Sequence, residues 1–348
     1  MKTQIVYSVI STEKDFFLEE LWVSVYSLRQ FHPNDRVVVM TDAPTGERIK
    51  CRPSLASLIS EVMVIPMPEG YNNDCRAREI KTNIRNLIDG DFLFIDTDTV
   101  ICQPLDEVDN LPVKNLAMVP ELHGPFKDHF CYEYTYQDVI RIFGTDCSDS
   151  QYWFNSGCMF VRDNETTRKL FADWKKNWTY SAFEKNENSD QRALLKTDHD
   201  YGYIIEVLPG VYNCQVAVSI QYFFDAKIVH FWHMRAKFTS DMNYSPFTNK
   251  EIYKQIRQDN CISQSVADTI IHCKSSFRTP SMIVGDAEMR FVMSCFNTIL
   301  NKAYKESKLM HWLIDKFMKL TYYYLRAKAK LGRLVRTKKP VSVLTGHK

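Results

Sequence analysis

Short apolar segments alternate with amphipathic segments along the first hundred residues. Residues 5–10 are apolar and end at Ser11 and Thr12, and residues 16–31 then place apolar side chains at helical spacing. The order continues with strand-like segments at 36–40, 62–65 and 92–95, and with helix-like segments at 46–60 and 76–88. Strands that alternate with helices predict an α/β fold, with a mostly parallel central sheet flanked by helices.

The pattern is less regular after the first hundred residues. Residues 120–150 are rich in aromatic residues, His and Asp, which suggests an insertion that walls a substrate pocket. Residues 176–190 are polar and are predicted to form a loop, and residues 249–259 are helical in pattern. Residues 297–336 form a long tract of helical periodicity, which predicts a helical extension at the C-terminal side.

The most informative segment is Asp91-Phe-Leu-Phe-Ile-Asp96-Thr-Asp98, an apolar strand that runs straight into two aspartates. Buried carboxylates need a partner, because an unpaired buried charge is very costly. Two oxygen ligands at a strand end suit Mg²⁺ or Mn²⁺, which keep open positions for phosphate oxygens. The segment therefore indicates a metal clamp for a diphosphate, and an Asp-Thr turn after the strand is the alternative.

Polar residues follow several of the predicted strands. Ligands of parallel sheets bind beyond the carboxyl ends of the strands. These ends hold Ser11, Thr12, Asp42, Asp96 and Asp98. We therefore expect these residues to converge on one crevice.

Composition fits a soluble globular protein of 348 residues, with 45% hydrophobic and 25% charged residues. No apolar run approaches the roughly 20 residues that span a bilayer. Ten cysteines are scattered without a close pair, which predicts reduced thiols in a cytoplasmic protein and disfavours a zinc site.

The net charge of +2 conceals an asymmetry. From residue 300 onward, 13 Lys or Arg residues stand against Glu306 and Asp315, a net charge of +11, so the rest of the chain carries −9. Between residues 308 and 336, apolar and aromatic residues recur at helical spacing with cations between them. This composition predicts a helix on an anionic membrane surface. A helix packed on the domain is the alternative, and nothing else in the chain supports binding to nucleic acid.

Four further motifs accompany Asp96-Thr-Asp98 in a fixed order. They are Arg76-Ala-Arg-Glu-Ile-Lys81, Trp153-Phe-Asn-Ser-Gly-Cys-Met-Phe160, Asp190-Gln-Arg-Ala-Leu-Leu195 and Val229-His-Phe-Trp-His233. The series resembles the nucleotide-sugar glycosyltransferases of the GT-A fold, a Rossmann-like α/β fold, and particularly the retaining galactosyl- and glucosyltransferases of family 8. The resemblance covers roughly residues 4–240, and Asn-Ser-Gly followed by Asp-Gln is its most specific part.

The resemblance implies a metal site and a phosphate site. Asp96, Asp98 and His230 would hold Mn²⁺ (or Mg²⁺), and the metal would stabilise the leaving diphosphate of a UDP-sugar. Lys81 and Arg78, three residues apart on one helix face, would meet the phosphates or the donor sugar. The alternatives are a satisfied buried histidine for His230 and a solvated helix face for the two cations.

Further donor contacts follow from the same resemblance. Ser11 and Thr12 would meet the uridine or its ribose, although an N-cap for the next helix is an equal alternative. Thr97 and Lys237 are also expected to bind the donor. The last motif departs from the family pattern His-Phe-x-Gly-x-x-Lys-Pro-Trp, because Lys237 is displaced by one position; Arg235 or His233 could take its role.

Asn155, Asp190 and Gln191 are the expected catalytic residues. The resemblance implies that Asp190 binds sugar hydroxyls and that Gln191 lies beneath the anomeric carbon, with an N-cap as the alternative for Asp190. A neutral amide is a poor nucleophile and fits a front-face displacement, whereas a covalent route would need Asp190 or Glu121 as the carboxylate. Gly157 would allow a close backbone approach to a ligand.

The resemblance and the pattern together predict a cytoplasmic enzyme on the inner face of the cell membrane. It would transfer a hexose from a UDP-sugar to a glycan or lipid-linked saccharide. Residues 1–240 would form the catalytic domain, residues 241–300 a mixed helical extension on the acceptor side, and residues 301–348 the basic tail. The alternatives are an inverting transferase, with Glu121 or Asp128 as base, a nucleotidyltransferase, and an inactive binding or scaffold protein.

Overall fold

The computed structural model describes residues 1–129, 131–217, 219–231, 245–276, 291 and 294–336, with backbone alone for residues 295, 298 and 329–336. The described residues up to 276 form one compact unit, and those from 291 onward form a second. The predicted contacts of His233, Arg235 and Lys237 lie outside the described residues.

Strands and helices alternate through the first unit. The strands are β1 (Gln4–Val9), β2 (Val37–Thr41), β3 (Glu61–Val64), β4 (Phe92–Ile95), β5 (Thr99–Ile101), β6 (Leu116–Pro120), β7 (Phe154–Val161), β8 (Glu206–Val207), β9 (Cys214–Gln215) and β10 (Ile228–His230). The helices are α1 (Phe17–Phe31), α2 (Ala43–Lys50), α3 (Pro53–Ala56), α4 (Asn73–Leu87), α5 (Tyr132–Phe143), α6 (Glu165–Glu184), α7 (Asp190–Asp200), α8 (Lys250–Asp259) and α9 (Gln264–Ile271).

The central sheet has the strand order β3-β2-β1-β4-β7-β6-β8. Strands β3, β2, β1 and β4 are parallel, β7 runs antiparallel to both of its neighbours, and β6 pairs with β8 in parallel. A second, small sheet has the order β5-β10-β9, in which β10 is antiparallel to β5. The prediction of an α/β fold with a mostly parallel central sheet is confirmed.

Both faces of the central sheet are buried. Along β1, Ile5 and Tyr7 belong to one apolar cluster and Val6 to another, as the alternation of side chains in a strand requires. Helix α1 covers the first cluster with a face that includes Trp22, whereas α4 and α6 cover the second. This double burial explains why the strands read as continuous apolar runs.

Two sequence predictions of local structure are wrong. Residues 46–60 form two short helices, α2 and α3, because Pro53 begins a new helix after Lys50. Residues 176–184 belong to α6 and not to a loop. The polar residues there face outward, while Trp174, Trp178 and Ser181 form a buried face at helical spacing.

The described part of the second unit contains two helices, α10 (Cys295–Glu306) and α11 (Lys308–Arg336), where the pattern predicted one tract. The rings of Tyr304 and His311 stack with centroids 3.9 Å apart, and the Tyr304 hydroxyl lies 3.1 Å from Asp315. Within the residues described, no helix combines the length and the apolar character needed to cross a bilayer.

Asp198 is a buried carboxylate in the last turn of α7. Only 2% of the residue is exposed, and its Oδ1 accepts the N–H of Ile205 at 3.1 Å. Burial raises the pKa of Asp198 to about 6, above its ordinary value of 3.8, and the backbone hydrogen bonds only partly offset this effect. The folded state therefore disfavours the ionised form of Asp198.

We expect Asp198→Asn to stabilise the protein at pH 7 and not at pH 4. Because the folded pKa is raised, stability associated with Asp198 is present below pH 3.8 and is lost as the pH rises through about 6. At about 1.4 kcal/mol per pKa unit, the gain at pH 7 is on the order of 1–3 kcal/mol. Urea unfolding at both pH values measures it, with Asp200→Asn as a control that removes an exposed carboxylate of the same helix. An equal gain at both pH values would contradict the argument.

Candidate active site

The carboxyl end of β4 lies beside the amino end of β7, because the two strands are antiparallel. Ile95 is paired with Cys158, and the N–H of Asp96 donates to the carbonyl oxygen of Gly157 at 2.8 Å. The Asp-x-Asp segment and the Asn155-Ser-Gly157 segment, 59 residues apart by their first members, therefore meet at one edge of the sheet.

Asp96, Asp98 and His230 form a cluster with the composition of a metal site. Each offers one ligand atom, and these atoms lie within 4.8 Å of one another. The small sheet creates the cluster, because His230 is paired with Thr99 across β10 and β5, which places its Nε2 3.0 Å from Asp98 Oδ1. Two carboxylate oxygens and an imidazole nitrogen suit a divalent cation such as Mn²⁺.

A hydrogen bond to Asn213 orients the His230 ring. Nδ1 of His230 lies 2.9 Å from Asn213 Oδ1, which directs Nε2 toward Asp98. Metal-binding histidines commonly make such a bond with the nitrogen that does not face the metal. Burial favours the neutral ring, but the neighbouring Asp98 carboxylate outweighs it and raises the pKa of His230.

Two cations from α4 reach the same edge. Lys81 Nζ lies 2.9 and 3.0 Å from the two carboxylate oxygens of Asp96, and Arg78 Nε lies 2.9 Å from Asp190 Oδ1. Their spacing of three residues places both on one helix face, as the sequence predicts. Burial opposes the ionisation of Asp190, but Arg78 and Lys81 outweigh it and lower its pKa.

Two clefts, of about 370 and 310 Å³, adjoin at these residues. Both are lined by Arg78, Lys81, Asp96 and Asp98, so they are two parts of one crevice. The first extends along Ser8, Val9, Ile10, Phe17, Glu20, Asn73, Asp74, Ala77, Thr97 and Asn188. The second extends along Asn155, Ser156, Gly157, Asp190, Gln191 and His230.

Three of the polar residues predicted at strand ends are engaged outside this lining. Ser11 and Thr12 each donate a hydroxyl hydrogen to Asp15 at 2.7 Å, just before α1. Asp42 caps α2 by accepting the N–H of Thr45 at 3.0 Å. Neither Ser11 nor Thr12 caps α1, whose N-cap is Phe16 without a side-chain hydrogen bond, and residues 8–10 line the crevice instead.

Asp190 is the first residue of α7, and Ser189 supplies the N-cap. The carboxylate of Asp190 is thereby left to face the crevice, where Oδ2 accepts the hydroxyl of Ser156 at 3.0 Å. The N-cap alternative for Asp190 is wrong, because the cap is the preceding residue.

Gln191 turns its amide nitrogen into the protein. Nε2 donates to Glu121 Oε2 at 2.6 Å and to the carbonyl oxygen of Phe154 at 3.0 Å. Because both acceptors engage the nitrogen, the carbonyl oxygen Oε1 is the polar atom that Gln191 presents to the second cleft.

Gly157 is required by the His230 ring. A Cβ atom at position 157 would lie 2.5 Å from Cε1 of His230 and 2.8 Å from Oδ1 of Asn155. The predicted close approach at this glycine exists, but the neighbour is a side chain of the protein.

The role of Asn213 was not predicted from the sequence. No motif marks this asparagine, because its partners His230 and Asn155 lie elsewhere in the chain.

The chain matches no protein-family model and no curated protein sequence. Among solved structures, mouse xyloside xylosyltransferase 1 is 13% identical with a TM-score of 0.45, over 66% of this chain and 97% of that one. The galactosyltransferase LgtC, in complex with donor and acceptor sugar analogues, is 14% identical with a TM-score of 0.48, over 83% of this chain and 100% of that one. The glycosyltransferase GlyE of Streptococcus pneumoniae TIGR4 is 15% identical with a TM-score of 0.46, over 81% of this chain and 67% of that one. Because these identities and TM-scores are low, the activity is inferred from the residues of the site and not from these structures.

We expect Gly157→Ala to weaken Mn²⁺ binding at least tenfold, because the added methyl group displaces the His230 ring (on the order of the effects of residues around metal ligands). Isothermal titration with Mn²⁺ measures the effect. Gly124→Ala is a matched control, since a Cβ there meets nothing closer than 3.9 Å. Unchanged Mn²⁺ affinity in Gly157→Ala would show that the His230 position does not matter for the metal.

Proposed function

We propose that the protein is a GT-A glycosyltransferase that moves a hexose from a UDP-sugar to a glycan or glycolipid acceptor with the help of Mn²⁺ or Mg²⁺. The observation that carries the proposal is the cluster of Asp96, Asp98 and His230 at the junction of two clefts, next to Lys81 and Arg78. Carboxylates and cations in one crevice suit a metal-bound diphosphate, whose charges need both.

The three ligands fit a divalent cation by their chemistry. Oxygen atoms from Asp96 and Asp98 and Nε2 of His230 would hold it, and Asn213 keeps the ring turned the right way. When bound, the metal supplies Lewis-acid stabilisation of charge on the leaving diphosphate. Lys81 and Arg78 add positive charge on the side of α4.

The two clefts support a division of the donor between them. The first is large enough for part of a nucleotide and is lined by the end of β1, by Phe17 and by Thr97. The second holds Asp190, Ser156 and Gln191, which offer a carboxylate, a hydroxyl and an amide oxygen to a sugar. We propose that uridine occupies the first cleft and the hexose the second. Lys237 remains a proposed phosphate contact.

The side chains around the proposed hexose support retention by front-face displacement. Gln191 presents a neutral carbonyl oxygen, which can stabilise positive charge at the anomeric carbon but is a poor nucleophile. Both carboxylate oxygens of Asp190 are engaged, one by Arg78 and the other by Ser156. In this mechanism the leaving phosphate oxygen takes the proton of the acceptor hydroxyl.

The domain proposal follows the site. We propose that residues 1–240 form the catalytic domain, since all described residues of the crevice lie there. Residues 241–300 would form the acceptor side, and residues 301–348 the basic tail.

We expect Mn²⁺ together with one UDP-hexose to raise the melting temperature of the wild-type protein, because ligands that bind only the folded state stabilise it. At a ligand concentration of 100 times Kd the stabilisation is about 2.7 kcal/mol. Asp96→Asn and Asp98→Asn should abolish this shift while each variant remains folded. Asp106→Asn, at an exposed position, is the control.

A panel of UDP-, GDP-, CMP- and dTDP-hexoses with and without Mn²⁺ identifies the donor. A wild-type protein that responds to none of them would overturn the proposal. A response that persists in Asp96→Asn and Asp98→Asn would keep the nucleotide sugar and remove the metal site.

We also propose that α11 binds the cytoplasmic face of an anionic cell membrane. A stripe of apolar residues follows one face of this 29-residue helix, and each of its members is at least 44% exposed. The stripe consists of Leu309, Leu313, Phe317, Leu320 and Tyr324. Lys319 and Arg326 lie on the other side, and the charge of +11 from residue 300 onward complements anionic lipid.

We expect the double variant Phe317→Ser, Leu320→Ser to lose binding to phosphatidylglycerol vesicles in co-sedimentation, because it removes apolar area from the centre of the stripe. The control Met318→Ser, Tyr322→Ser changes the other side of the helix and should retain binding. Equal binding of both variants, or no difference between phosphatidylglycerol and phosphatidylcholine vesicles for the wild type, would contradict the membrane proposal. Self-association through the stripe would appear instead as a change of mass in solution.

A further inference from the structure

We propose that Glu121 is a positioning residue that fixes the tautomer of the metal ligand His230 through a directed chain of hydrogen bonds. The chain runs from His230 through Asn213 and Asn155 to Glu121, and its donors all point toward the carboxylate. The inference rests on the proposed metal site and assigns Glu121 a different role from nucleophile or base.

The orientation of Asn155 is set by two neighbours of opposite kind. Its Oδ1 accepts the backbone N–H of Gly157 at 2.9 Å, and its Nδ2 donates to Glu121 Oε2 at 2.9 Å. A flipped amide would place a donor against the Gly157 N–H and an oxygen against the carboxylate. Asn155 therefore has one satisfactory orientation.

This orientation is passed on to Asn213 and then to His230. Asn213 Nδ2 donates to Asn155 Oδ1 at 2.8 Å, so the other end of the Asn213 amide, Oδ1, faces Nδ1 of His230 at 2.9 Å. An oxygen acceptor requires that Nδ1 carry a hydrogen. The chain therefore favours the form with its hydrogen on Nδ1 and leaves Nε2 for a metal, although Asp98 Oδ1, 3.0 Å from Nε2, competes for a hydrogen there while no metal is bound.

Glu121 serves as the end of the chain in either protonation state. Its Oε2 accepts from both Asn155 and Gln191, so a proton on the carboxyl group belongs on Oε1. The same oxygen thus orients the His230 chain on one side and turns the Gln191 carbonyl oxygen into the cleft on the other. One buried side chain couples the proposed metal ligand to the residue beneath the proposed sugar.

The backbone after Glu121 is held in a costly conformation that keeps this contact. Leu122 and His123 have φ angles of 55° and 59°, in the left-handed region that side chains disfavour. The Leu122 N–H donates to Gln215 Oε1 at 2.8 Å, and His123 Nε2 lies 2.8 Å from the carbonyl oxygen of Asn213. The turn is therefore fastened to the segment that carries Asn213.

The decisive variants are Glu121→Met and Glu121→Gln. Methionine has a similar length and accepts no hydrogen bond of comparable strength, whereas glutamine keeps one oxygen for Asn155 and Gln191. We expect Glu121→Met to weaken Mn²⁺ binding by about tenfold or more, the effect typical of residues that orient metal ligands. Glu121→Gln should retain most of the affinity in the same isothermal titration. Equal Mn²⁺ affinity in wild type and Glu121→Met would overturn the inference.

A spectroscopic measurement tests the tautomer without metal in the variant Asp98→Ala, which lacks the carboxylate that competes for a hydrogen on Nε2. Long-range ¹H–¹⁵N spectra of the full chain with ¹⁵N-labelled histidine, recorded at alkaline pH, distinguish a protonated Nδ1 from a protonated Nε2. The His230 signals are assigned by their loss in His230→Gln. We expect a hydrogen on Nδ1 of His230 in Asp98→Ala, and a mixture of tautomers when Glu121→Met is added to it.

A hydrogen on Nε2 of His230 in Asp98→Ala would overturn the inference, even where Glu121→Met fails to fold. Absence of Mn²⁺ binding by the wild type would instead contradict the proposed function, while the tautomer measurement still decides the role of Glu121.

Discussion

The candidate site depends on the antiparallel pairing of β5 with β10. These strands are three residues long, and their pairing places His230 beside Asp98 although the two residues are far apart in the sequence. Buried hydroxyl groups of α1 hold β5 in turn: Ser27 accepts the N–H of Ile101 at 2.9 Å, and Ser24 lies 2.7 Å from the Thr99 hydroxyl. The Asp96–Asp98–His230 cluster is therefore held to the apolar core through polar contacts, which are directional where apolar packing is not.

The antiparallel direction of β7 is the second constraint on the site. In an all-parallel sheet, residues at the start of β7 would lie at the opposite edge from the end of β4. Because β7 is reversed, Asn155, Ser156 and Gly157 reach the edge where parallel sheets place their ligands. The reversed direction of β7 thus brings the Asp-x-Asp segment and the Asn-Ser-Gly segment to the same edge of the sheet.

Sequence reasoning worked where a function is carried by residues close together in the chain. The strand before Asp96 and the helix that carries Arg78 and Lys81 could both be predicted from local periodicity. Helix α6 was misjudged beyond residue 175, because its polar exposed face dominates the composition while Trp178 supplies little of the pattern. The described part of the chain also brings Cys102 and Cys273 within 3.2 Å, which no spacing in the sequence indicates.

Other features of the site could not be predicted because their meaning comes from partners elsewhere in the chain. Asn213 is an ordinary polar residue until His230 and Asn155 are placed on either side of it. The sequence predicts a close approach to a ligand at Gly157, and only the position of the His230 ring explains why a methyl group would not fit. Such residues acquire their roles from tertiary contacts, so a single sequence contains no local signal for them.

The pKa values of two carboxyl groups at the crevice, Asp190 and Glu121, are shifted in opposite directions by their surroundings. Burial opposes ionisation of both, but Asp190 has Arg78 and Lys81 nearby and its pKa is lowered, whereas for Glu121 burial outweighs the hydrogen bonds from Asn155 and Gln191 and its pKa is raised. Separated pKa values indicate separate roles. Asp190 retains a negative charge toward the crevice, where it suits sugar hydroxyls. Glu121 lies beneath the lining, where an acceptor oxygen is useful whether or not the group is charged, and this is the property that a fixed hydrogen-bond chain requires.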